Sequence, residues 1–312
     1  MLCWRCLRLV LAVAVLTTLS GCLFHSHPVE SRISTAPLEQ ATEAGLIDRI
    51  NSQAARVQTL NATIEISTAV GGWTKGKITQ YQTISGYIMV RKPQMLRMIG
   101  LLPVVRSRAF DMVSNGQTFE LSIPPKNRFI VGRNDVITHN ANQPLESLRP
   151  QHILDALLVR QIDSANEIAV LENSYETVAD PKKKKEVQQP DYVIIVLRRG
   201  DAGWFLSRKI IFSRVDLEPH EQIVYDRHGY IASDVHYRDF SDHEGIDFPS
   251  QINIWRPQEE YAINLTVQKV TFNQPLADEQ FALQQPVGAQ VVHLDAPNSS
   301  RNAGGDGEPA RQ

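Results

Sequence analysis

The residues able to do chemistry are few and lie mostly in the second half of the chain. His220, His228, His236 and His243 alternate with carboxylates. A hairpin turning at Arg227–His228 brings His220 near His236, and two imidazoles across adjacent strands can hold a metal. No third ligand is evident, and surface strand histidines account for the pattern more simply. Asp239, Asp242, His243 and Glu244 surround a turn closing at Gly245. A carboxylate pair there is able to do acid–base work, although a solvated loop explains the cluster with fewer assumptions. No Gly-rich phosphate loop, H-E-x-x-H or G-x-S-x-G occurs. The expectation is a non-enzyme with no catalytic residue, no metal and no cofactor.

The remaining reactive group is a thiol. The three cysteines are Cys3, Cys6 and Cys22, so the body has no disulfide framework, cysteine-based zinc site or catalytic cysteine. Arg5 and Arg8 precede the apolar run Leu9–Thr18. That run is short for a stable membrane span and right for a secretory signal. Leu19-Ser20-Gly21-Cys22 resembles a bacterial lipobox. The resemblance implies cleavage after residue 21 and acylation of Cys22, which would become the mature N-terminus. Several acyl chains anchor where one does not. The alternative is an ordinary secretory signal with a chance cysteine. Leu23, where inner-membrane lipoproteins carry Asp, points by analogy to the periplasmic face of the outer membrane. Residues 22–35 read as a tether, and His25 and His27 as linker residues within it.

Charge and composition exclude further classes. Lys+Arg total 32 against 34 Asp+Glu; losing Arg5 and Arg8 makes this 30 against 34, a net charge near −4. A nucleic-acid binder would carry a basic excess. With 42% hydrophobic and 21% charged residues, the chain can bury a core without disulfides.

The elements that must position these groups follow from periodicity. Residues 36–60 read as a helix, with Pro37 in the first turn, Glu39 and Glu43 near its positive end, and a stripe of Leu46, Ile50, Ala54 and Val57 beside Ile47. Gly45 weakens its first half. From Ala62 the period changes to two, giving strands over 62–70, 77–91, 94–101, 107–114, 117–123 and 128–132. Asn115-Gly116 predicts a type I′ hairpin pairing Ser114 with Gln117. Met112 then faces Phe119 and Phe110 faces Leu121, with Asp111, Thr118, Glu120 and Ser122 on the other side. A second helix is expected over Pro150–Gln161, carrying Ile153, Leu154, Leu157 and Leu158. Strands resume over 167–173, 191–199, 204–214, 219–226, 230–239, 247–255 and 261–272; the last alternates cleanly, as in a sheet with one wet face. The lysines Lys182 to Lys185 form a solvated hairpin loop or, less simply, touch anionic lipid heads. The Asn/Ser/Gly-rich end reads as a disordered tail over 291–312.

One long helix, consecutive antiparallel strands, a short apolar helix and further strands resemble the LolA/LolB-type lipoprotein-localisation fold over about residues 40–290. Local echoes are Gly86-Tyr87-Ile88-Met89-Val90-Arg91-Lys92-Pro93 before Leu96-Arg97, then Ser114-Asn115-Gly116, Val270-Thr271-Phe272-Asn273, Phe281 and Pro286-Val287-Gly288. The resemblance implies a mainly β (α+β) domain over 36–290, a strongly curved antiparallel sheet or incomplete barrel of about a dozen strands closed by helices on its concave side. It also implies an apolar hollow for acyl chains of lipids or acylated lipoproteins.

The expected function is therefore a lipid-anchored envelope protein that binds lipid or acylated protein, in lipoprotein transfer or insertion. The alternative is a non-enzymatic structural lipoprotein with a filled core that partners an envelope machine. Phe110, Met112, Phe119 and Leu121 are the expected sheet wall of the hollow, with Leu154 and Leu157 as its lid. Ile99 to Val105 reads as an apolar turn, since Gly100 and Pro103 argue against a strand. Apolar turns imply burial or a greasy partner. The LolB-type resemblance makes Leu101 and Leu102 the candidates for contacting membrane or cargo; the competing expectation is that Leu101 and Val104 plug the sheet end.

Overall fold

The computed structural model describes residues 36–72, 76–135, 149–179 and 186–294. Cys22, the signal, the tether over 22–35 and Lys182 to Lys185 lie outside the described residues. The chain divides into a large unit, Ala36–Glu176 with Gln189–Gln312, and a small one, Met1–Thr35 with Thr177–Gln188. The described residues of the small unit are the ends of two strands, where Gln188 Nε2 donates to Thr177 Oγ1 at 2.8 Å.

The large unit is built on one mostly antiparallel sheet. Its first strands are β1 (Thr59–Gly72), β2 (Lys77–Gln80), β3 (Ile84–Arg91), β4 (Met95–Leu101), β5 (Arg108–Ser114), β6 (Thr118–Ile123) and β7 (Arg128–Arg133). Then follow β8 (Glu167–Ala179), β9 (Glu186–Gly200), β10 (Gly203–Ser213), β11 (Pro219–Tyr225), β12 (Ile231–His243), β13 (Ile246–Arg256), β14 (Tyr261–Phe272) and β15 (Gln290–His293). The sheet order is β15-β7-β6-β5-β4-β3-β1-β14-β13-β12-β11-β10-β9-β8, with β2 on β1. Its ends do not meet, so the sheet is open. Fifteen strands replace the expected dozen. One reason is that 77–91 breaks at 81–83: β2 pairs with Ala69–Gly72, and β3 with Thr59–Ile66. Another is β15, which lies parallel to β7, so the chain stays in the fold to Leu294, beyond the 290 boundary expected for the tail.

Two helices pack on the sheet. Helix α1 (Glu43–Arg56) starts later than expected because Thr42 caps it, its Oγ1 accepting from Gly45 N at 3.1 Å. Its stripe is as the spacing predicts, with Leu46, Ile50, Ala54 and Val57 all buried. Leu46 and Ile50 pack on Tyr192, Ile194, Val196, Ile210 and Phe212 of β9 and β10. Helix α2 (Pro150–Leu157) is shorter than the expected span to Gln161 and ends at Leu158, whose backbone is extended. It touches β4, β5 and β13. Strands β5 and β13 are five positions apart in the sheet, roughly 24 Å if flat, whereas a helix is roughly 10–12 Å across. The sheet therefore curves around α2, whose Ile153, Leu154, Ala156 and Leu157 join the main core.

The Asn115–Gly116 hairpin forms with a different turn. Ser114 pairs with Phe119 and Met112 with Leu121, a shift of two residues from the predicted register. Asn115 Oδ1 accepts from Gln117 N and Thr118 N, and Ser114 Oγ from Gly116 N. That Asx-type loop of four residues displaces the two-residue type I′ turn, which needs positive φ at both residues; of the pair only Gly116 has it. A shift of two preserves the faces, so Phe110, Met112, Phe119 and Leu121 still share one side. The opposite side is only partly wet: Thr118 is exposed, but Ser122 is buried. Asp111 is fully buried, gripped by Arg97 at 2.9 and 2.7 Å and by Arg108 at 3.0 Å. The segment after β14 covers this side: Gln280 O accepts from Arg97 Nη1, and Arg91 lies over the Phe281 ring.

Candidate lipid cavity

Gly100 shows how the cavity's wall is made. A Cβ there would stand 2.4 Å from Phe110 Cε1 and 2.7 Å from Ile84 Cδ1. Glycine thus lets two apolar side chains meet over β4, and Gly100 lies within the strand, opposite Gly86 and Phe110. A hollow of about 400 Å³ opens beyond them, lined by Ile66, Thr68 and Val70 of β1, Ile84, Met98, Phe110, Leu121 and Ile123, with Tyr261 and Ile263 of β14 and Ile153 of α2. Its size lies within the ordinary range for ligand sites, roughly 300–1,000 Å³, and its walls are mainly aliphatic and aromatic, as such sites are. Tyr81, Gln82 and Lys126 supply polar groups at its lining.

Of the six residues expected to line a hollow, Phe110 and Leu121 do so. Met112, Phe119 and Leu154 lie in the filled core. Leu157 instead borders a separate space of about 90 Å³ under α1, with Ile50, Ala54 and Phe248. The α2 residue at the large cavity is Ile153. Ile66 and Thr68 were not singled out in the sequence, whereas Ile263 lies on the apolar face of the cleanly alternating last strand.

Strand β4 runs to Leu101, so the expected loop over 99–105 is confined to 102–107. Leu101 is half-buried and pairs with Ser85 and Arg108. Leu102 and Pro103 line the cavity and also an adjoining hollow of about 270 Å³. The loop is closed by Leu102 N donating to Ser107 O at 2.8 Å and Arg106 N to Leu102 O at 3.0 Å. At its tip Val104 and Val105 are 98% and 70% exposed, so Val104 does not plug the sheet. Val104 also holds φ at 67°, a conformation unfavourable for a β-branched residue.

The polar clusters lie elsewhere. In the β11–β12 hairpin a bulge between Val224 and Tyr225 shifts the register by one, so His236 faces Glu221 and not His220. Two clusters result among the described residues: Glu176, Asp191 and His220, and Glu221, Asp234 and His236. In the second, burial and then Asp234 raise the Glu221 carboxyl, while burial raises Asp234 against the pull of His236. Asp191 and Glu176, from β9 and β8, are ligand-type residues that hairpin reasoning missed, because they come from strands beyond β10. The Asp239–Gly245 group builds a turn: Glu244 and Gly245 have φ of 57° and 83°, Gly245 N donates to Asp242 Oδ1 at 2.9 Å, and His243 pairs with Ile246.

No protein-family model and no curated protein sequence matches the chain. Among solved structures, it is similar to a DUF1329 family protein from Desulfovibrio piger, at 15% identity and a TM-score of 0.50 over 76% of this chain and 94% of that one. It aligns with a LolA superfamily protein from Nitrosomonas europaea at 13% identity and a TM-score of 0.46, covering 78% and 99% of the chains. A putative outer membrane lipoprotein-sorting protein domain from Vibrio parahaemolyticus aligns at 9% identity and a TM-score of 0.42, covering 75% and 95%. At these identities the likeness concerns the fold alone. The open curved sheet holding an apolar helix on its concave side is the LolA/LolB-type architecture that the sequence resemblance implies.

Proposed function

We propose that this is a non-enzymatic envelope protein that holds an acyl chain of a lipid or acylated protein in the apolar cavity and delivers it to, or takes it from, a membrane. The observation that carries this is the cavity of about 400 Å³, which a filled-core structural protein has no reason to keep. Apolar surface contributes about 25 cal/mol per Å² to a ligand that covers it. The names of two aligned structures, a LolA superfamily protein and a lipoprotein-sorting domain, agree with this reading. Lys126 at the lining suits an acidic headgroup. In this proposal Cys22 is acylated and anchors the chain to the outer membrane. No helix among the described residues is long and apolar enough to cross a membrane.

Native mass spectrometry of the chain purified in mild detergent tests the reading. A bound mass that fragments to fatty-acyl products is expected; a chain that is ligand-free after exposure to phospholipid and to acylated peptide rejects it.

The loop tip belongs to the same proposal. Val104 and Val105 meet the membrane while Leu101 and Leu102 lead from the tip to the cavity. Val104→Glu with Val105→Glu is expected to weaken partition onto anionic liposomes at least about tenfold, since each Val contributes on the order of 1 kcal/mol when buried in lipid. Side chains this exposed carry little of the fold, so the thermal midpoint should move by less than about 2 °C. Unchanged liposome sedimentation would remove the tip from the delivery step.

A further inference from the structure

His220 stands on β11 with its Nε2 3.5 Å from Asp191 Oδ2 and its Nδ1 3.6 Å from Glu176 Oε2. One donor atom from each of the three residues lies within 4.8 Å of the other two. The Asp191 side chain is 1% exposed. Its Oδ1 has no hydrogen-bond partner, and neither has His220 Nε2. A buried carboxylate oxygen and a buried ring nitrogen without partners are costly unless something else satisfies them.

The local field selects the sign of that something. Burial works to lower the His220 pKa, but Asp191, Glu176 and Glu221 together raise it, and no basic side chain figures among the groups acting on it. Three carboxylates around one imidazole attract a cation. Donors bound at roughly 2.1 Å to a tetrahedral ion stand roughly 3.4 Å apart; the separation of His220 Nε2 from Asp191 Oδ2 is close to this, whereas Glu176 meets the other ring nitrogen and must swing to share an ion with that pair. The half-exposed Glu176 side chain has the freedom to close the remaining gap.

We propose that Glu176, Asp191 and His220 bind a divalent transition-metal cation of the zinc class. Imidazole selects against the hard, all-oxygen ions, and the absence of thiolate selects against monovalent copper. The ion would tie β8 and β9 to β11 across β10. This site shares no residue with the lipid cavity and stands or falls independently of it. The neighbouring Glu221, Asp234 and His236 cluster is more exposed, with His236 at 41%, and serves as the control.

The test uses the full-length chain in detergent micelles, stripped with chelator and dialysed against Zn²⁺ at pH 8, because protons compete with the metal for the imidazole. Metal content is measured by plasma mass spectrometry, with far-UV circular dichroism to confirm the fold. Other histidines also take up zinc, so the readout is the difference between proteins. Asp191→Asn and Glu176→Gln are each expected to lose one equivalent, whereas His236→Ala keeps it. At roughly 100-fold excess over the dissociation constant, Zn²⁺ should raise the thermal midpoint of the parent chain by about 5 °C or more, and that rise should vanish in both variants. Full zinc content in either variant overturns the proposal. So does a parent chain whose midpoint ignores Zn²⁺, the behaviour of an imidazolium merely clamped between two carboxylates.

Discussion

Thr68→Trp is expected to abolish acyl-chain binding and leave the protein folded. Thr68 lies on β1 opposite Ile263, two residues beyond Ile66, and lines the cavity with both. An indole at this position projects into the hollow and displaces about four methylenes of a bound chain. At about 0.8 kcal/mol per methylene this removes about 3 kcal/mol, a loss of affinity of more than about 100-fold. The indole fills space that is already open, so the overpacking cost of a tight core is avoided, and stability should change by less than about 1 kcal/mol. Displacement of a fluorescent fatty acid, read beside urea denaturation, checks both halves. Wild-type affinity in a stably folded Thr68→Trp protein would show that the ligand, if any, sits elsewhere.

The second large effect concerns stability. Arg208 and Glu167 are each 1% exposed and lie 3.0 Å apart. Glu167 also accepts from Arg198 at 3.0 and 2.5 Å and from Asp163 N at 3.1 Å, and Arg208 donates to Gln161 O at 2.9 Å. Burial pulls the Arg208 guanidinium down to about 10 even though Glu167 pushes it back up. Glu167→Ala leaves that cation buried without its counter-ion, so a loss of about 3–5 kcal/mol is expected in urea denaturation at neutral pH. A loss below about 1 kcal/mol would mean that water reaches Arg208 and that the pair is not a buried one. The cluster joins β8, β9 and β10 to the segment after α2, so the same variant should also speed proteolysis of that region.

The helical stripe of α1, most of the strands and the shared face of Phe110, Met112, Phe119 and Leu121 were legible in the sequence because each rests on local periodicity. Burial of a face forces apolar residues to recur every two positions in a strand and every three or four in a helix. The apolar turn after β4 was legible from residue type, since Pro103 has no N–H to donate to a continuing ladder. Its finer assignment was not. Leu101 reads as a loop residue until β4 is seen pairing with both β3 and β5, and Gly100 reads as a strand breaker until Phe110 is seen lying over it. Asp111 looked like a wet-face residue because alternation says which residues oppose the core but not what covers the other side. Here the segment around Gln280 and Phe281, far away in sequence, covers it.

The sequence by itself determined a mainly β body with two apolar-faced helices, and it carries no recognisable catalytic motif. Those are properties of short stretches, set by residue type and spacing. Tertiary structure alone decided that the sheet curves round α2 leaving a hollow between Ile66, Phe110 and Ile263 while Met112 and Phe119 pack in a filled core. It also decided that His220 meets Asp191 and Glu176 and not His236. Both outcomes depend on which distant strands become neighbours and on single-residue bulges in their pairing. A shift of one residue turns a side chain to a new partner with almost no trace in the local pattern.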